Sequence, residues 1–180
     1  MNIKIIRADV SHAASIATIG KKSFRKAFEN LFNCKEELFE YLEHTYDPVK
    51  LAKSVRKENN VYFLAMLDDI PVGFVKVKKF SLHPQIESIA QMELQKIYVL
   101  PEHHGLGVGQ ALLNEVFELA QEIKPDYVWL DTHISNEKAI EFYKKNGFSK
   151  CGKHYFTIGT QVFEYDLMIF PVAVTEPCDC

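Results

Sequence analysis

The chain has 180 residues, of which 47% are hydrophobic, and its formal net charge is -3 at pH 7. This length indicates a single domain that can bury a sizeable core. A slightly acidic chain without runs of lysine or arginine disfavours nucleic acid as a partner. Every apolar stretch falls short of the roughly 18 residues that a membrane helix needs, so we expect no membrane partner.

The first residues carry no recognisable secretory signal, so we expect a cytoplasmic protein. We expect one domain over residues 1-172 and a short tail over residues 173-180. The four cysteines match no zinc-binding spacing, and we therefore expect no metal. Cys178 and Cys180 lie in the tail, where free thiols are the simplest interpretation. A redox pair and a weak metal site are the alternatives there.

The first third of the chain predicts one strand and three helices. Isoleucine-rich sequence indicates a strand over residues 2-7, and Asp9 or Ser11 can cap the helix that follows. Apolar residues at spacings of three and four predict a second helix over residues 35-45. The pair Asp47-Pro48 is typical of a third helix start, with an N-cap before proline at the first helical position.

The remainder of the chain predicts more strands and two further helices. Apolar runs over residues 61-67 and 72-80, joined by a turn at Asp68-Asp69, indicate a hairpin. After the hairpin, we expect a strand over residues 92-100, a helix over 107-123 and a strand over 127-132. A helix over residues 136-146 and two strands over 149-158 and 161-170 are expected to follow. Gly147 is expected to end the last helix. Hairpins beside a strand-helix-strand unit predict a mixed sheet flanked by helices.

A glycine-rich loop follows the strand over residues 92-100 and leads directly into a helix. It contains His104-Gly105-Leu106-Gly107-Val108-Gly109, whose glycines let the backbone turn tightly and approach a ligand closely. Unpaired N–H groups and the positive end of the dipole at the helix start suit a pyrophosphate. Taken alone, the loop can equally be a turn that only reverses the chain.

Two common nucleotide motifs fit this loop poorly. A P-loop requires Gly-Lys-Ser/Thr, and no lysine follows these glycines. A dinucleotide fingerprint requires a third glycine where Gln110 stands. Asp131 does end the next strand about twenty residues later, as that fingerprint requires. A dinucleotide-binding protein therefore stays open as an alternative.

With a second motif downstream, the loop resembles the GNAT acetyltransferase superfamily, whose loop runs Gln/Arg-x-x-Gly-x-Gly/Ala. Here both glycine positions match, and His104 replaces the first residue. The downstream segment Asn136-x-x-Ala139-x-x-x-Tyr143-x-x-x-Gly147-Phe148 matches the second motif of the family in spacing. Within the family, the sequence is most similar to bacterial diamine and polyamine N-acetyltransferases.

The resemblance implies an α+β protein with a three-layer α/β/α GNAT fold. Its central sheet is expected to be mixed, mostly antiparallel and splayed between the fourth and fifth strands. The resemblance also implies acetyl-CoA as the cosubstrate, with the pantetheine arm lying where these two strands separate. We therefore expect the sheet to be open along part of its length, between the fourth and fifth strands.

Several residues are expected to hold acetyl-CoA if the resemblance extends to them. Backbone groups of Ile97, Tyr98 and Val99 would hold the arm, and one N–H there would polarise the thioester carbonyl. Asn136 would cap its helix and also bond the arm. The pyrophosphate would bind the amides of the phosphate loop, which we define as His104, Gly105, Leu106, Gly107, Val108, Gly109 and Gln110.

Acyl transfer from a thioester to an amine needs a neutral amine, an oxyanion donor and a proton for the departing thiolate. Tyr143 matches the family's position for the acid, and its ordinary pKa of about 10 suits a thiolate of similar basicity. A half-buried aromatic without a catalytic role is the alternative. Covalent catalysis through Cys34 or Cys151 is not expected, because neither has a local His or Asn signature.

The general base has two principal candidates. Glu93 leads its strand and is expected on the same alternating face as Ile97 and Val99. A partly buried carboxylate there can take the amine proton directly or through water. His133 follows the next strand and is the second candidate, and His154 is a weaker one.

The acceptor is the least defined part of the prediction. The helix near residues 35-47 carries an acidic stripe of Glu36, Glu40, Glu43 and Asp47. This stripe would suit a cationic polyamine, although a solvated face is the alternative. The expected substrate-binding residues are Glu29, Glu36, Glu40 and Asp131. We therefore expect an N-acetyltransferase acting on a small primary amine, with polyamines favoured. A protein N-terminal or lysine acetyltransferase and a non-catalytic acetyl-CoA-binding module are alternatives, and both monomer and homodimer are compatible.

Overall fold

The computed structural model describes residues 2-172 of the chain, so Cys178 and Cys180 lie outside the described part. The strands are β1 (Ile3–Arg7), β2 (Asn60–Leu67), β3 (Ile70–Lys79), β4 (Gln91–Val99), β5 (Tyr127–His133), β6 (Ser149–Ile158) and β7 (Gln161–Pro171). The helices are α1 (Ala13–Phe28), α2 (Lys35–Thr45), α3 (Pro48–Val55), α4 (Val108–Ile123) and α5 (Glu137–Lys145). The predicted order of strands and helices is confirmed. None of the described helices is long and apolar enough to cross a membrane.

Local chemistry explains where several of these elements begin and end. The carboxylate of Asp47 accepts a hydrogen bond from the Lys50 amide at 2.7 Å, and proline follows at the first helical position of α3. Asp9 caps a short 3-10 helix that leads into α1. Asp68 and Asp69 have φ angles of 47° and 66°, which two-residue hairpin turns between right-twisted strands require.

The seven strands form one sheet in the order β1-β2-β3-β4-β5-β7-β6. All neighbouring pairs are antiparallel except β4 and β5. That parallel pair joins only Gln91–Glu93 to Tyr127–Trp129, although β4 continues to Val99 and β5 to His133. The predicted splay between the fourth and fifth strands is therefore confirmed.

Helices cover both faces of the sheet. One hydrophobic cluster combines Leu112 and Val116 of α4 with Tyr143 of α5 against strand residues such as Val75. A second cluster on the other face combines residues of α1, α2 and α3, with Phe24 at its centre. The result is the expected three-layer α/β/α arrangement, whose sheet is mixed and mostly antiparallel.

A β-bulge in β4 changes which side chains share a face. Lys96 pairs with Lys76 of β3 and Leu94 pairs with Val77, so Gln95 is an extra residue on β4. Leu94, like Ile97 and Val99, packs toward α4, whereas Tyr98 packs toward α1. The expectation that Glu93 shares a face with Ile97 and Val99 is wrong, because this extra residue reverses the alternation.

Candidate active site

A cavity of about 1610 Å³ opens where β4 and β5 separate. It brings together most residues that the sequence predicted for the site. The predicted residues that line it are Glu93, Ile97, Tyr98, Val99, His104, Gly105, Gly107, Val108, Gly109, Gln110, Asp131, His133, Asn136 and Tyr143. Leu106 of the phosphate loop instead packs against the core cluster beneath α4.

The phosphate loop forms a glycine turn at the start of α4. Gly105 and Gly107 have φ angles of 77° and 84°, which favour glycine. A Cβ added at either glycine would meet no atom within 4 Å, so the space above the loop is open. Gly107 is the N-cap of α4 and no side chain caps the helix, so its first amides are available to an anion. The loop thus fits the pyrophosphate of coenzyme A.

His104, where the family has Gln or Arg, bonds the end of β4. Its Nε2 lies 2.9 Å from the carbonyl oxygen of Val99, which also accepts a hydrogen bond from Ser23 Oγ at 3.1 Å. The imidazole therefore links the phosphate loop to the strand that borders the splay. The substitution at this position changes a side chain and leaves the loop's backbone amides in place.

Asn136 and Tyr143 lie on the helix that closes the other side of the cavity. Asn136 is the N-cap of α5, and its side chain accepts a hydrogen bond from the Ala139 amide at 3.4 Å. Tyr143 is buried, and its hydroxyl makes no hydrogen bond to another residue of the described chain. Burial raises the pKa of Tyr143, so the hydroxyl stays protonated at neutral pH. Gly147, with φ of 90°, ends α5 as predicted.

Glu93 lies at the last paired position of β4 before the splay. Its carboxylate accepts hydrogen bonds from Ser81 Oγ at 2.7 Å and Gln95 Nε2 at 3.2 Å, and Lys78 Nζ lies 3.5 Å away. These three contacts fix the orientation of the carboxylate. Because the bulge turns it toward α1, it faces the half of the cavity opposite α4.

His133 ends β5 among aromatic rings. Its Nδ1 accepts a hydrogen bond from the Ser135 amide at 3.1 Å and lies 2.8 Å from Ser135 Oγ. Burial lowers the pKa of His133, and Glu164 acts in the opposite direction. A neutral ring with an accepting Nδ1 carries its proton on Nε2.

Two imidazoles and a carboxylate form a compact group that the sequence did not reveal, because its members come from separate segments. We call His83, Asp131 and His154 the imidazole–carboxylate cluster, in which one ligand atom of each lies within 4.8 Å of the others. Asp131 Oδ2 lies 2.8 Å from His154 Nδ1, and its buried Oδ1 has no hydrogen-bond partner in the described chain. Two His and one carboxylate are a ligand set that can hold zinc.

The acidic residues expected to bind the acceptor are dispersed. Asp131 lines the cavity, but Glu29, Glu36 and Glu40 do not. Glu29 forms an ion pair with Arg25 at 3.2 Å, while Glu36 and Glu40 are exposed on α2. The acidic stripe therefore faces solvent and not the cavity.

The cavity is instead rich in lysine. Within residues 2-172, its lining includes six lysines but only two carboxylates, those of Glu93 and Asp131. The lysines are Lys26, Lys50, Lys76, Lys78, Lys96 and Lys138. The alternating Lys76-Val77-Lys78 of β3 was the available signal in the sequence, since alternate residues of a strand point to one face.

Similarity to known proteins agrees with this geometry. Residues 25–148 match the model of the acetyltransferase (GNAT) family, so the chain belongs to this family. Spermidine N(1)-acetyltransferase of Thermoplasma acidophilum is 23% identical over 152 residues, which cover 82% of this chain and 89% of that protein.

Two solved structures share the fold over nearly the whole chain. The PaiA N-acetyltransferase of Thermoplasma acidophilum in complex with coenzyme A has a TM-score of 0.77 and 19% identity, covering 95% of this chain and 99% of that chain. The ribosomal-protein-S18-alanine N-acetyltransferase of Escherichia coli has a TM-score of 0.71 and 16% identity, covering 98% of both chains.

The chain is therefore an acetyl-CoA-dependent N-acetyltransferase of the GNAT type. The dinucleotide-binding alternative is wrong. A doubly wound sheet consists mostly of parallel strands, whereas only one pair of strands is parallel in this sheet.

Proposed function

We propose that this protein transfers the acetyl group of acetyl-CoA to a small primary amine by direct attack within a ternary complex. One observation carries the proposal: residues of the phosphate loop, Asn136 and Tyr143 all line the cavity that opens between β4 and β5. A single domain over residues 1-172 would supply every group that the reaction needs. The reaction as proposed uses no metal, and the protein acts in the cytoplasm.

Each requirement of the reaction has a candidate residue. Acetyl-CoA, when bound, supplies an activated acyl group and a thiolate leaving group. The amides of the phosphate loop hold the pyrophosphate. Ile97, Tyr98 and Val99 lie beyond the residues of β4 that pair with β5, so a backbone N–H on this open edge can polarise the carbonyl. The protonated hydroxyl of Tyr143 can give its proton to the thiolate. Asn136 keeps α5, and with it this hydroxyl, in position.

Glu93 is the better supported of the two candidate bases. It faces the half of the cavity opposite α4, from which an amine can approach, and its orientation is fixed by Ser81 and Gln95. His133 carries its proton on Nε2 while Nδ1 accepts from Ser135, so it can donate a hydrogen bond but must change tautomer to act as a base. We therefore propose that Glu93 takes the amine proton, directly or through water.

Spermidine is a second candidate acceptor, because one relative is a spermidine N(1)-acetyltransferase. The acidic residues Glu29, Glu36 and Glu40, which were expected to bind a polyamine, are not on the cavity. A protein N-terminus is a third candidate, in line with the alanine N-acetyltransferase of similar fold. We favour a small amine over a polyamine, because Asp131 is the one residue of the expected acidic set that lines the cavity.

Ligand binding and thiol release test the proposal. Acetyl-CoA and coenzyme A should raise the melting temperature, whereas NAD should not. Thiol release should then require an amine, and it should be compared among amino acids, diamines, spermidine and short peptides. Stabilisation by NAD alone, or thiol release that does not depend on any amine, would contradict acetyl transfer to an amine.

A further inference from the structure

The acceptor half of the cavity carries uncompensated positive charge. A second cavity of about 440 Å³ adjoins the first, and the two share Lys76 and Lys78. Among the residues that the structure describes, its lining includes Lys57 and Lys79 as well and no carboxylate. Both cavities therefore present ammonium groups at the same stretch of β3.

Two lysines face each other at the centre of this region. Lys76 of β3 lies directly opposite Lys96 of β4, and both are half-buried. The Nζ of Lys76 lies 5.5 Å from the ring centre of Tyr62, and the Nζ of Lys96 lies 5.5 Å from that of Tyr46. Like charges at directly opposite positions of a sheet destabilise it unless something compensates them.

Within residues 2-172, neither Lys76 nor Lys96 forms an ion pair with a carboxylate. The nearby carboxylate of Glu93 pairs with Lys78 instead. Burial, together with the nearby Lys78 and Lys96, lowers the pKa of Lys76 to about 8, against the opposing effect of Glu93. Burial also lowers the pKa of Lys96 to about 8, against the opposing effect of Glu93. A bound anion would restore both ammonium groups to full charge.

The phosphates of the cofactor lie elsewhere in the proposed complex. Lys76 and Lys96 are on the face of the sheet that α1, α2 and α3 cover, near Tyr46 and Tyr62. The phosphate loop is at the start of α4, on the opposite face. The lysine pair therefore belongs to the acceptor half of the cavity.

We propose that the acceptor is an amine that also carries a carboxylate or a phosphate, and that Lys76 and Lys96 bind this anionic group. The proposal rests on the proposed acetyl transfer and narrows its substrate class. Binding of the anion anchors the acceptor, so that its amine can reach the splay. The nearby ammonium groups also disfavour a protonated amine, which helps to keep the nucleophile neutral.

Matched amines separate this proposal from polyamine acetylation. Thiol release would be compared for lysine against cadaverine, ornithine against putrescine, and phosphoethanolamine against ethanolamine, since each pair differs by one anionic group. The anionic member should have a kcat/KM at least about tenfold higher, as expected for an ion pair that is partly shielded from water. The carboxylate and phosphate pairs together show which group the site prefers.

Lysine variants test the assignment within the same assay. Lys76→Met and Lys96→Met keep the apolar stem but should lower kcat/KM for the anionic member by about tenfold or more, mostly through KM. The preference for the anionic member within each pair should then be lost. Lys22→Met removes one exposed charge from α1 and is the matched control. Equal use of both members of every pair, with amine-dependent thiol release intact, overturns the anionic-acceptor proposal alone.

A measurement without turnover completes the test. With coenzyme A at saturation, so that the phosphate loop is filled, inorganic phosphate should raise the melting temperature of the wild-type protein and of Lys22→Met. It should not raise that of the Lys76→Met, Lys96→Met double variant. Without phosphate, the double variant should be at least as stable as wild type, because two half-buried charges without an ion-pair partner are removed. An equal response to phosphate in all three proteins would overturn the assignment. Absence of acetyl-CoA binding would instead overturn the proposed function.

Discussion

Replacing Tyr143 by phenylalanine removes one hydroxyl from the cavity and leaves the ring in the core. The ring packs at centroid distances of 5.5 Å from Phe142 and 5.6 Å from Phe148, and both contacts survive the change. The hydroxyl has no hydrogen-bond partner within the described residues, so its removal leaves no other polar group without a partner. We expect the free energy of unfolding to change by less than about 1 kcal/mol.

The effect on catalysis should be far larger. A positioned general acid contributes roughly 10²-fold or more to the rate, which corresponds to about 2.7 kcal/mol of activation free energy. We expect kcat for thiol release at pH 7 to 8 to fall by that factor, with little change in the affinity for acetyl-CoA. Burial raises the pKa of Tyr143, so any alkaline loss of kcat due to this group should begin above the ordinary tyrosine range.

Tyr127→Phe on β5 is the matched control, because its ring packs in a small separate cluster with Trp129. Unfolding in urea and thiol release with the preferred acceptor would be measured for both variants. If kcat of Tyr143→Phe equals that of Tyr127→Phe, the acid assignment is wrong. A large loss of stability in Tyr143→Phe would show that the hydroxyl has a structural partner.

Three further predictions concern stability, pH and metal. Gly20→Ala should lower the free energy of unfolding by about 1–3 kcal/mol in urea titrations, because the added Cβ would lie 2.3 Å from the Tyr46 ring. Burial lowers the pKa of His83 and His133, so the unfolded chain binds more protons below about pH 6.5 and stability should fall as pH drops from 7 to 5. Replacing both by Gln should flatten that profile. EDTA should leave thiol release unchanged; a loss that zinc restores would assign the imidazole–carboxylate cluster as a metal site.

Short-range signals in the sequence predicted most elements and the phosphate loop. The Asp47-Pro48 pair, the Asp68-Asp69 turn and Gly147 each act on backbone within a few residues, and the structure has them as expected. The loop could be recognised because its glycines and the start of α4 are adjacent in the chain. Such features need no knowledge of distant partners.

Features that depend on distant partners were not predictable in this way. The bulge at Gln95 is defined by the pairing of β4 with β3, and the sequence of β4 alone gives no sign of the reversed face of Glu93. The imidazole–carboxylate cluster joins three segments. The acidic spacing on α2 correctly indicates one face, but burial of Leu38 and Leu42 decides that this face points away from the cavity.

The short ladder between β4 and β5 makes the sheet two sheets joined at a narrow seam. Three residue pairs connect a four-stranded half to a three-stranded half. Beyond these pairs, the edges of β4 and β5 do not hydrogen-bond to each other. A ligand bound along those edges acts like a missing strand and ties the halves together. The cosubstrate should therefore slow amide hydrogen exchange in both halves, far from the atoms it touches. The stability of the whole molecule would then follow the cellular supply of acetyl-CoA.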